Sequence, residues 1–293
     1  LLVRSSQQEG MSFINPDMVG KVNFSAGGFA AKYGDKMSSV LDIEYKKPSA
    51  FEGNVTAGFM GLSAYVGYAD DKFTMAHGIR YKTNQYLLAD KLKLKNGKAI
   101  FKGLDTKGDF NNSFVDYQTF INYNITPKVS LSLLGNVSQN LYNFVPKTQR
   151  VQFGTLTVQR EFNVLFRGLE KDRFATYFGA FTLDYQPSHT TALKLTASAF
   201  NTSESENYDL IGAYSLSDDN SGDKKTELLG RGVFHEHARN RLSATVVSLI
   251  HSGKSRLLSS DVEWGISAAK ELITDRIREY ERRDSSHYSV PHD

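Results

Sequence analysis

The sequence contains no cysteine, a single tryptophan and only six prolines in 293 residues. Without thiols, disulfides, thiolate zinc centres and cysteine nucleophiles are excluded. No apolar run approaches the ~18–20 residues that a membrane-crossing helix needs, so a helical membrane protein is excluded as well. A β-barrel is not, because barrel strands alternate apolar and polar residues and leave little hydropathy signal. An excess of one charge is also missing. The 35 basic and 32 acidic residues are interspersed and sum to +3, which leaves no electrostatic footprint for nucleic acid. There is no Gly-x-Ser-x-Gly elbow, no helix-borne His-Glu-x-x-His, and no carboxylate pair that stands out from the acidic background. The residues therefore point to no enzyme and to no cofactor. Gly253-Lys254-Ser255 follows an apolar run, but a phosphate-binding loop needs glycine where Ser248 stands, so we read an ordinary turn. The chain starts at Leu1 without the basic region and apolar core of a signal peptide, and its last residues read like mid-loop sequence. We expect a fragment cut at both ends.

Aromatic residues are abundant, with 19 Phe and 15 Tyr, although mean hydropathy is only −0.39. They fall into runs that alternate with a period of two. Phe73, Met75, Ile79 and Tyr81 oppose Lys72, Thr74 and Arg80. Val115, Tyr117, Ile121 and Tyr123 oppose Asp116, Gln118 and Asn122. The same pattern recurs over residues 54–59, 129–138, 174–185 and 191–200. Period-two alternation marks strands with one buried face. Short turns at 70–71, 126–128, 187–189 and 237–240 alternate with long polar stretches at 82–113, 139–173 and 202–224. This rhythm of tight turns and long loops, on strands of about ten residues, is that of an up-and-down transmembrane barrel. Tyr81, Tyr117, Tyr123 and Tyr185 stand near the ends of apolar faces, where an interfacial girdle would lie. The expected fold class is all-β: a partial, antiparallel, up-and-down transmembrane β-barrel, with a soluble β-sandwich as the alternative. Only residues 270–284 disagree. Ile273, Ile277 and Tyr280 have helical spacing there, predicting a short helix or a solvated loop. His235 and His237 point to one face of a strand and form the best metal candidate. A structural site would need two further ligands, and none is evident nearby, so a polar strand end entering the 237–240 turn is the preferred reading.

One stretch, residues 14–47 (INPDMVGKVNFSAGGFAAKYGDKMSSVLDIEYKK), organises the rest. It reads as a strand at 18–25, a glycine turn at Gly27 and Gly28, a knob at Tyr33-Gly34-Asp35 and a second strand at 39–47. Gly27, Gly28 and Gly34 are expected to adopt positive φ.

This stretch resembles the closing segment of the plug domain of TonB-dependent outer-membrane receptors of the Bacteroidetes, carboxypeptidase-regulatory-like type. Further segments are similar to barrel segments of that family, among them RYKTNQYLL at 80–88, LDTKGDFNNSF at 104–114, FNTSESE at 200–206 and EHARNRL at 236–242. The resemblance implies the C-terminal part of a plug at 1–47 and the N-terminal portion of a ~22-stranded barrel at 48–293, of which we count about ten spans. Residues 89–103 look like an insertion relative to the family pattern. The implied function is binding of a scarce extracellular ligand (iron chelate, cobalamin, glycan or peptide) and its passage to the periplasm, without bond chemistry. Implied partners are the TonB–ExbB–ExbD complex, through a segment not in this chain, outer-membrane lipid, and a surface lipoprotein. The implied location is the bacterial outer membrane. Candidate ligand contacts are Arg4, Gln7, Gln8 and Glu9, because similar plug loops face outward. Gly27, Gly28, Tyr33 and Gly34 would form the structural turn that lets the plug pack inside the wall. Asp116, Gln118, Asn122, Lys194 and Ser198 would be lumen-facing. The competing readings are an outer-membrane scaffold for adhesion or for a lipoprotein, and a soluble glycan-binding β-sandwich.

Overall fold

Alternating residues with one satisfied face make strands, and here strands account for almost everything. The structure, a computed structural model, describes residues 14–28, 33, 38–84, 108–154, 159–219, 227–257, 260–285 and 288–292. Among the described residues a 3-10 turn, Pro16–Met18, comes first, with proline at its first position and the Asn15 side chain accepting from the Asp17 amide. β1 (Val19–Ala26) and β2 (Ser39–Tyr45) form a two-stranded antiparallel sheet. β3 (Glu52–Gly58), β4 (Gly61–Ala69), β5 (Phe73–Thr83), β6 (Gly108–Thr126), β7 (Val129–Pro146), β8 (Gln149–Gly154), β9 (Gln159–Ser188), β10 (Thr191–Asp219), β11 (Glu227–Leu257), β12 (Ser260–Arg276), β13 (Glu279–Ser285) and β14 (Tyr288–His292) build a second sheet. Its strands pair antiparallel with their chain neighbours in an up-and-down meander, with β8 continuing β7 along β9 and β13 continuing β12 along β11. Among the described residues β3 pairs on one side only, as do β12 and β14, so the sheet is open. No helix is long and apolar enough to cross a membrane.

The all-β antiparallel expectation is met, as are the turns at 70–71, 126–128 and 187–189. Four expectations are corrected. The polar stretches at 139–173 and 202–224 are strand for most of their length, because β9 and β10 run for 30 and 29 residues in a register that shifts only between Thr191 and Leu193. Residues 237–240 lie inside β11 rather than in a turn, and Gly253-Lys254-Ser255 is strand as well. Residues 270–284 form β12 and β13 instead of a helix, because the edge of β11 supplies hydrogen-bond partners that override local spacing.

Register sorts the large sheet into two chemically opposite faces. Residues directly opposite one another share a face. One row runs Ile79, Tyr117, Val137, Tyr177, and the next runs Met75, Ile121, Leu133, Phe181, Ala197, Leu249. These apolar rows are bare: Ile79, Tyr117, Val137 and Tyr177 are 42–50% exposed. The other face carries Arg80, Asp116, Ser138, Thr176 in one row and Gly78, Gln118, Asn136, Phe178 in the next. There Asp116 and Gln118 are buried, Thr182 hydrogen-bonds Thr196 at 3.1 Å, and Ser198 bonds Ser248 at 2.6 Å. The core sits on this second face, where Met18 from the 3-10 turn and Tyr45 from β2 meet Tyr65, Ala76, Phe120 and Leu134. Residues 14–18 and the end of β2 therefore pack on the polar face over β4–β6, while the apolar face stays open.

Candidate functional site

The contact between residues 14–46 and the large sheet is built around Arg80. β5 presents Arg80 and β6 presents Asp116 directly opposite. The guanidinium donates to both carboxylate oxygens, Nε to Oδ1 at 2.8 Å and Nη2 to Oδ2 at 2.7 Å, and stacks over the Phe114 ring. This fork geometry is what an arginine offers and a lysine does not. The remaining terminal nitrogen, Nη1, donates to the Ile14 carbonyl at 3.1 Å. One residue on, the Asn15 amide donates to Gln118 Oε1 at 3.3 Å. Two wall side chains thus hold two consecutive backbone groups of the entering strand. Below them Met18, fully buried, lies over Gly78, where a Cβ would stand 2.5 Å from Asn15 Nδ2 and 2.9 Å from Met18 Sδ. Only glycine permits that approach. At the far end Tyr45 stacks on Phe120 with ring centroids 6.4 Å apart. Lys46 pairs with Glu52 at 2.8 Å, and Glu52 also accepts from the Tyr65 hydroxyl. The contact includes unpaired polar atoms: Asn15 Nδ2 and both amide atoms of the buried Asn136 make no hydrogen bond among the described residues.

Gly78→Val should cost about 1–3 kcal/mol by overpacking, with no effect on β6–β7 pairing. Limited proteolysis checks this, since residues 14–28 should become the first cleaved.

Of the residues singled out from the sequence, Asp116, Gln118, Asn122, Lys194 and Ser198 share the polar face, through the rows that link β5 to β11. Asp116 and Gln118 hold the small sheet directly or through Arg80. Gly27 has the expected positive φ of 81°, whereas Gly28 does not. A Cβ at either would meet nothing within 4 Å, so the two serve the turn and not packing. The close-packing glycine is Gly78, which the sequence did not mark. Tyr33 donates its hydroxyl to Asp42 on β2 at 2.7 Å. Arg4, Gln7, Gln8, Glu9 and Gly34 lie outside the described residues.

Two further clusters lie where β9–β11 run on past the apolar rows; the sequence offered His235 and His237 of one as a metal candidate, but neither their partner Asp209 nor the Glu170–Asp172 pair. On the polar face Glu170 and Asp172 sit two residues apart on β9, opposite Tyr208 and Glu206. Burial, and next the hydrogen bond to Asp172, pushes the Glu170 carboxyl up to about 7, and burial also raises Asp172. A carboxyl raised on folding binds protons that the unfolded chain has released. Stability should therefore be greatest below about pH 4.5, fall as pH rises toward 7, and level off above it. Denaturation midpoints across pH 4.5–8 check this, and Glu170→Gln should flatten the slope.

On the apolar face, His235 and His237 of β11 meet Asp209 of β10, which register sets opposite His237. Asp209 Oδ1 lies 2.6 Å from His235 Nε2, and Oδ2 lies 3.3 Å from His237 Nδ1. The hydrogen bond from His235 is the main cause holding the Asp209 carboxyl below its usual range. No protein-family model matches the chain, and no curated protein matches it.

Proposed function

We propose that the chain is the plug end and adjoining wall of an outer-membrane receptor of the TonB-dependent kind. In this reading residues up to 47 are plug, those from 48 onward are barrel wall, the polar face is the lumen and the apolar face meets lipid. One observation carries it: residues 14–18 and the end of β2 pack on the polar face, over β4–β6, while the apolar rows stay bare. In water the hydrophobic effect demands the opposite arrangement, and a soluble sandwich would lay its second sheet on the apolar side. A bilayer reverses the preference, since lipid solvates Tyr117, Val137, Tyr177 and Phe181. The bare apolar residues occupy about ten positions next to the short turns, at 115–125, 175–185 and 245–253, the length of a tilted crossing. Immediately beyond them Arg173, Arg241 and Arg276 line a depression of about 630 Å³ on the same face, at the level where lipid headgroups would lie.

The chemistry of this function is binding and gating. A scarce ligand (iron chelate, cobalamin, glycan or peptide) would be captured from outside and released inward when the TonB–ExbB–ExbD complex works on the plug. The polar contacts that Arg80 and Gln118 make to backbone groups, together with the unpaired Asn15 Nδ2 and Asn136 side-chain amide, suit an attachment that is broken and remade. A second reading, an outer-membrane scaffold for adhesion or for a lipoprotein, is favoured by the ~15-residue extension of β9–β11 beyond the apolar rows.

The test is detergent dependence. The chain should extract and stay monodisperse only in detergent, and migrate differently on gels before and after boiling. Monodisperse behaviour without detergent would overturn the reading in favour of the sandwich. Ligand uptake that persists without TonB would favour the scaffold.

A further inference from the structure

We propose that Asp209, His235 and His237 form a binding site for a first-row transition dication of the zinc class. The three prospective ligand atoms already lie within 4.8 Å of one another. In a tetrahedral centre with bonds of about 2.0–2.1 Å, ligand atoms stand roughly 3.4 Å apart, so closure needs side-chain adjustment and no movement of strands. The two histidines alternate by two along β11 and therefore share a face, and Asp209 is held opposite His237 by an unbroken register.

The surroundings prepare the ligands. Tyr280 of β13 brings its hydroxyl within 3.4 Å of His235 Nδ1, so that nitrogen can keep its proton and leave Nε2 for the metal. The same Tyr280 ring stacks on His237 at 5.1 Å and 17°, fixing the second imidazole. Both histidine side chains are about three-quarters buried, at 26% and 24% exposure, and Asp209 is half exposed. The site is thus partly shielded yet open to a fourth ligand from solvent. Two imidazoles and one carboxylate suit zinc, copper, nickel or cobalt better than calcium or magnesium, which take oxygen ligands. One group opposes the ion: Arg239 Nη2 lies 3.6 Å from Asp209 Oδ2. Arg239 also donates to the Tyr208 and Ala238 carbonyls, so it keeps partners when the carboxylate turns away.

This inference does not rest on the receptor reading, because the cluster lies beyond the apolar rows and is the same whether lipid or water surrounds them. The test is titration of the folded, detergent-solubilised or soluble chain with Zn2+ by calorimetry, and with Co2+ by visible absorption. Wild type should bind one ion, with the intense d–d bands of low-coordinate Co2+. His237→Gln and Asp209→Asn should each weaken binding at least tenfold, and Arg239→Gln should tighten it. A His235→Gln/His237→Gln double variant that binds Zn2+ as tightly as wild type overturns the proposal. A further measurement needs no variant. Zn2+ should protect His235 and His237 of the wild-type chain from diethyl pyrocarbonate while the exposed turn residue His189 stays reactive. Equal reactivity at all three with and without Zn2+ also overturns it.

Discussion

Arg80→Ala should destabilise the fold by about 3–5 kcal/mol, the cost of breaking a buried ion pair from one side. The side chains of Arg80 and Asp116 are only 9% and 0% exposed, so water cannot replace the missing guanidinium. Asp116 would be left charged in a buried place, facing a serine and a glutamine neighbour that are poor substitutes. The substitution also removes the donor to the Ile14 carbonyl, so residues 14–18 should loosen along with the wall. The double change Arg80→Met/Asp116→Leu separates the two effects. It removes both charges, should recover most of the stability, and should still leave the entering strand unclipped. Urea denaturation in micelles reads the first effect and protease susceptibility of residues 14–28 reads the second. A loss below about 1 kcal/mol for Arg80→Ala would mean the pair behaves as a solvated surface bridge.

On the proposal that the apolar face meets lipid, Phe181→Arg should cost about 2–4 kcal/mol in a bilayer, the penalty for a cation near the midplane of a barrel wall. Phe181 is 47% exposed, and in water the same change would be close to neutral, since surface substitutions of this kind fall within about 0.5 kcal/mol. The experiment therefore reports on the solvent that the face is built for. Ile211→Arg is the internal control. It lies on the same face of β10 but beyond the apolar rows, and should cost at most about 1 kcal/mol in either medium. Equal, near-zero costs at both positions would point to water on that face.

What could be read from sequence, and what could not, follows from which residues carry a periodic signal. Over 115–123 and 175–185 one face is aromatic and the other polar, so alternation exposes the strand and even the face of Asp116 and Gln118. Residues 170–173 and 201–207 put polar groups on both faces and interrupt the period, although Phe162, Val164 and Phe166 restore an alternating face beyond them. The same chemistry that makes a polar segment read as loop hid some fifteen residues of β9, of β10 and of β11. Residues 270–284 failed differently. Ile273 pairs with Ala244 and Tyr280 with His237, and a two-residue break at Ile277 and Arg278 shifts the alternation, so helical spacing arose by coincidence. Partners set by register were out of reach in principle. Arg80 meets Asp116 across 36 residues and Asp209 meets His235 across 26, and no local spacing encodes either distance.

Among the described residues, the contacts on the covered face gather on one side of it. Arg80 and Gln118 grip residues 14 and 15, and Phe120 and Tyr65 receive Tyr45 and Lys46, all on β4–β6. Across the same face, β9–β11 offer paired hydroxyls such as Thr182 with Thr196 and Ser198 with Ser248, which already bond to each other. Tension applied at residue 14 would therefore load the Arg80 contact first, then Gln118, then the Met18 seat. Bonds loaded one after another peel at low force, whereas bonds loaded together resist in shear. Pulled from residue 14, the described contacts would open in sequence from Arg80 inward rather than all at once.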